Sequence, residues 1–74
     1  MQKIYYDINR QLSEWISFSK SNRDFALNHN IDEKSVRRIL DNEYKITIGT
    51  LLKICEARNL HLSEFFKNLE SFKK

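Results

Sequence analysis

Residues 22–41, Asn-Arg-Asp-Phe-Ala-Leu-Asn-His-Asn-Ile-Asp-Glu-Lys-Ser-Val-Arg-Arg-Ile-Leu-Asp, decide how the chain folds. They read as two short helices joined by a tight turn, one over about Asn22 to His29 and the next over about Asp32 to Asp41. Phe25 points inward. Ala26 lies on the face that touches the following helix, where a small side chain lets two crossed backbones come close. Asn30 falls where the chain reverses, a position that calls for a left-handed backbone, and asparagine tolerates this best after glycine. Ile31, Val36 and Ile39 give the second of these helices one apolar stripe. Its opposite face carries Glu33, Lys34, Arg37, Arg38 and Asp41. A helix held across its neighbour by a short turn, with its outer face free, has the shape that fits a DNA major groove.

Upstream, Tyr5, Ile8, Leu12, Trp15 and Ile16 recur at three- and four-residue steps, which predicts an amphipathic helix over about Tyr5 to Phe18. Trp15 reads as core. Ser17, Ser19, Lys20 and Ser21 form a polar break, and Ser21 with Asp24 has the form of a capping box opening the next helix. Asp32 is a suitable cap for helix three, and two acids there suit the positive helix terminus. Downstream, residues 41–45 read as a polar loop. Thr47 caps a helix running to about Arg58, with Ile48, Leu51, Leu52, Ile54 and Cys55 turned inward. Asn59 ends that helix as Asn30 ends the second. A last helix covers about Leu62 to Ser71.

The chain has 74 residues, no proline, one glycine and one cysteine. That length makes one domain spanning residues 1–74, with a small core that buries about 60% of the unfolded surface. Scarce glycine and proline favour helix and make an all-α fold the expectation. One cysteine excludes an internal disulfide framework, and Cys55, flanked by apolar positions, reads as a small buried side chain. No apolar run approaches the roughly 20 residues of a membrane span, and polar residues interrupt the N-terminus, so a cytoplasmic protein is expected. The formal charge of +3 suits a nucleic-acid partner without requiring one.

The order Phe25-Ala26, Asn30-Ile31-Asp32, Val36, Ile39 resembles the phage-repressor, or Xre-like, type of helix-turn-helix domain. Residues 47–54, Thr-Ile-Gly-Thr-Leu-Leu-Lys-Ile, look like that family's fourth helix. Residues 60–66, Leu-His-Leu-Ser-Glu-Phe-Phe, look like its closing helix. The resemblance implies a compact, lambda-repressor-like fold of five helices, with the helix-turn-helix formed by helices two and three. It also implies roles. Glu33, Lys34, Ser35 and Arg38 would meet base edges, and Lys34 and Arg38 are the best candidates for readout, because basic side chains commonly contact guanine. Asn22, Arg23, Arg37, Asn42, Tyr44 and Lys45 would lie along the phosphates. The sequence departs from the family at four places. Leu40 stands where many members carry a glutamate paired with helix one. His29 takes a position that is normally apolar or small. Asn30 and Asn59 replace turn glycines. Glu33 is acidic where neutral polar residues are common.

The expected function is sequence-specific DNA binding as a transcriptional repressor, on a near-palindromic operator, by a homodimer. Core packing claims at least two of Phe65, Phe66, Leu69 and Phe72, but the four cover an arc wider than one packing face requires, so part of the last helix, with Tyr5 or Tyr6, is the expected dimer contact. The alternative is an antitoxin-like module that holds another protein through the same helix. Two histidines and one cysteine on separate elements do not make a four-ligand zinc site, so neither metal nor cofactor is expected. No nucleophile stands beside a base and no glycine-rich phosphate loop occurs, so an enzyme is not expected.

Overall fold

The computed structural model describes residues 3–41 and 45–72, the last three of these by backbone alone. Among them are five helices and no strand: α1 (Lys3–Ser17), α2 (Asn22–Asn28), α3 (Glu33–Leu40), α4 (Ile48–Ala57) and α5 (Leu62–Phe72). None is long and apolar enough to cross a membrane. The all-helical architecture is as expected, and α1 begins two residues earlier than its apolar spacing suggests.

The helix starts are set by side chains that accept backbone N–H groups otherwise left without partners. Ser21 Oγ accepts from the Asp24 N–H at 3.0 Å, Asp32 Oδ1 from the Lys34 N–H at 3.4 Å, and Thr47 Oγ1 from the Thr50 N–H at 3.2 Å. At α5 the Glu64 carboxylate reaches back to the His61 N–H at 3.1 Å. The ends of α2 and α4 share one device. Asn30 and Asn59 both take φ of 56°, the left-handed region. The next residue then bonds back to the helix, Ile31 N–H to the Ala26 carbonyl at 3.0 Å and Leu60 N–H to the Cys55 carbonyl at 2.9 Å. This satisfies carbonyls the helix cannot, and it folds an apolar residue back onto the core. Ile31 and Leu60 both pack there.

α2 packs on α3, α1 lies against α3 and α5, and α4 lies against α5. Ile8, Leu12, Ile16, Phe25, Ala26, Val36 and Ile39 form one core with Leu51, Ile54, Cys55, Phe65 and Leu69. The radius of gyration is 11.4 Å. Two expectations about α4 are corrected. Ile48 and Leu52 stand on the outside, 63% and 40% exposed. Leu51, Ile54 and Cys55 do turn inward as expected, and Ile46, which precedes the helix, is buried beside them. Trp15 is only partly buried; it flanks the core rather than filling it.

The expected dimer surface is corrected in part. Phe65 and Leu69 are 1% and 2% exposed within a single chain. They are spent on the chain's own interior and have no area left to offer a partner. Phe66 is partly buried against the same core. The side chain of Phe72 lies outside the described residues.

Candidate functional site

The outer face of α3 is built by the inner one. Val36 and Ile39 are fully buried and Ala26 of α2 nearly so, which fixes the rotation of α3 against its neighbour. At 3.6 residues per turn the remaining positions must then point away. Lys34, Arg37 and Arg38 are exposed, and Glu33 and Ser35 are half-buried at the margin. Lys45, which follows the α3–α4 connection, is exposed, as is Arg23 on α2, while Asn22 is half-buried. Asn42 and Tyr44 lie outside the described residues.

Charge on this face is balanced: Asp32, Glu33 and Asp41 stand among Lys34, Arg37 and Arg38. Arg37 Nη2 donates to Glu33 Oε2 at 3.0 Å, one turn apart on α3. In so exposed a setting the pair contributes only about 0.3–0.5 kcal/mol. Its effect is on orientation, since it draws the Arg37 guanidinium along the helix toward the α3 N-terminus.

Behind the turn into α3 lies a group that no sequence spacing signals. His29, the residue closing α2, is buried and stacks on Phe25, ring centroids 3.8 Å apart at 20°. Arg58, the residue closing α4, donates from Nη1 to His29 Nε2 at 3.1 Å. A guanidinium has no lone pair to offer, so Nε2 must be the bare nitrogen and Nδ1 the protonated one. Nδ1–H accordingly donates to the Phe25 carbonyl at 2.8 Å. The guanidinium carbon of Arg58 also lies 4.1 Å from the Trp15 ring centroid. Burial pushes the His29 pKa below its ordinary value, and the Arg58 charge adds to that against the opposing pull of the Phe25 carbonyl. His29 therefore takes its apolar-looking position as a neutral ring with both nitrogens used. Arg58 was missed because its partners, His29 and Trp15, are remote in sequence and on separate helices.

The Cys55 thiol is buried and free, and burial raises its pKa, which leaves it a poor nucleophile. His61 is exposed beside the start of α5. Among the described residues no three His, Cys, Asp or Glu side chains gather as metal ligands. The chain matches no family model, no curated protein and no solved structure.

Proposed function

We propose that the chain is a sequence-specific DNA-binding regulator, acting as a cytoplasmic repressor, and not an enzyme. In this reading α2, the Asn30 turn and α3 are a helix-turn-helix within a lambda-repressor-like arrangement, and α3 enters the major groove. The observation that carries it is the two-sidedness of α3. Val36 and Ile39 anchor one side, while Lys34 and Arg38 present long donors on the other. Lys34 and Arg38 read bases, Glu33 accepts from a cytosine amino group or tunes Arg37, and Ser35 makes a shorter contact. Arg23, Arg37 and Lys45 supply phosphate contacts and most of the affinity. Two copies on one duplex would set their α3 helices about 34 Å apart and require a near-palindromic site.

A salt-titrated selection from random duplexes tests this reading. Arg38→Ala is expected to relax base preference at one position and to cost about 1–3 kcal/mol. Lys45→Ala is expected to weaken binding to all sequences alike and to flatten the salt slope by about one unit. Variants that bind every duplex as the parent does would refute the contact assignment. The antitoxin-like reading draws on the weak basic bias and on the aromatic arc of α5, and the second of these is narrowed by Phe65 and Leu69 lying inside the core.

A further inference from the structure

The first turn of α3 carries an acid that the fold uses only lightly. Asp32, the cap, turns Oδ1 to the Lys34 N–H. Glu33, the first residue of the helix, gives its carboxylate to no backbone group among the described residues. Its bond is to Arg37, through Oε2 and Nη2 at 3.0 Å, and both side chains reach solvent. An acid at a helix terminus and an ion pair this exposed each contribute little to stability. Folding therefore makes only a weak demand for a carboxylate on this face. Near a polyanion a lone carboxylate is repelled, since duplex DNA carries about one phosphate charge per 1.7 Å of its axis. The Arg37 cation offsets that charge from one turn away. The bond takes one carboxylate oxygen and one guanidinium nitrogen. Glu33 Oε1 remains as an acceptor, and Arg37 Nη1 and Nε remain as donors.

We propose, on the footing of the nucleic-acid reading, that Glu33 and Arg37 act as one unit that selects a cytosine. The N-terminal residues of a helix lying in the major groove meet base edges. There Glu33 Oε1 accepts from the cytosine N4 amino group. Thymine offers O4, and guanine offers O6 and N7, acceptors that would face the carboxylate with no proton between them. Adenine sets its N7 acceptor beside its N6 amino group, whereas cytosine has no acceptor at that edge. Arg37 is a positioning residue. Its Nη2 holds the carboxylate in place while Nη1 and Nε reach a phosphate, so one guanidinium ties the base-reading group to the DNA backbone.

Selection from random duplexes at varied salt, for the full chain and its variants, tests it. The parent is expected to require cytosine at one position, where thymine or N4-methylcytosine raises the dissociation constant by roughly fivefold or more. N4-methylcytosine still pairs with guanine but sets a methyl group where the groove-facing amino hydrogen stood. Glu33→Gln, whose amide matches adenine N6 and N7, is expected to exchange cytosine for adenine at that position and to leave the others unchanged. Arg37→Ala is expected to relax preference at the same position while flattening the salt slope by about one unit. A guanidinium that touched phosphate alone would lower affinity for all sequences alike. Circular dichroism verifies that the variants remain folded. The proposal is overturned if the parent selects a site and Glu33→Gln changes no base preference in it. It is equally overturned if Arg37→Ala weakens binding to every duplex by the same factor. Site-specific DNA binding survives both of those outcomes. A parent that selects no site refutes the nucleic-acid reading itself, and the cytosine assignment falls with it.

Discussion

His29 shows how much one side chain can be asked to do. It closes α2, stacks on Phe25, and accepts from Arg58, which in turn covers Trp15 of α1. Protonation removes the lone pair that Arg58 uses and sets two cations against each other. The folded pKa lies below the ordinary 6.5, so on the acid side of 6.5 the unfolded chain binds more protons than the folded one. The stabilisation is whole above 6.5 and is lost as pH falls through the folded value. Thermal melts of the parent should therefore drop on acidification below 6.5, and His29→Gln should lack that part of the decline. Parallel pH curves for the two proteins would refute the assignment. The turn asparagines make a separate case. With φ at 56°, a Cβ-bearing residue without a short polar side chain is strained. Asn30→Ala and Asn59→Ala should each lower stability by about 1 kcal/mol, and the glycine variants should be close to neutral, in urea unfolding.

At the scale of the helices, the contact between α2 and α3 fixes which side chains α3 shows to solvent. Ala26 of α2 is 4% exposed and shares the core with Val36 and Ile39 of α3. Ala26→Leu should therefore overpack that contact and destabilise by about 1–3 kcal/mol. If the proposed reading of α3 is right, this variant should also lose specific DNA binding more than Leu27→Ala, a change on the exposed side of the same helix. Equal loss from both would argue against a placed α3. α5 acts as a closing element. Phe65 meets the Trp15 ring edge-on, centroids 5.7 Å apart. Phe65→Ala should cost about 3–5 kcal/mol, a large share of the stability of so small a chain. A Phe65→Ala protein with undiminished stability would return this residue to the surface role that its sequence pattern suggests.

For the whole molecule, one contiguous core touched by all five helices implies one cooperative transition. Trp15 sits where α1, α4 and α5 meet, so its fluorescence and the far-UV circular dichroism should trace the same urea curve. Separated transitions would mean that α1 unfolds on its own. The order of the helices, their caps at Ser21, Asp32 and Thr47, and the left-handed asparagines were legible in the sequence. Each is a local matter, decided by residues within a turn of one another. So was the outward face of α3, because Val36 and Ile39 leave one arrangement for the rest. The sides of α4 and α5 were legible only in part: Leu51, Ile54 and Cys55 read correctly as inward, Ile48 and Leu52 did not. Both helices carry more apolar residues than one face can bury, and periodicity cannot tell which of them a neighbour will cover. Only the packing of α4 and α5 against each other and against α1 sent Phe65 and Leu69 inside and left Ile48 and Leu52 out. The His29–Arg58 bond likewise needed the ends of α2 and α4 to be brought together in space, and no spacing along a chain records that.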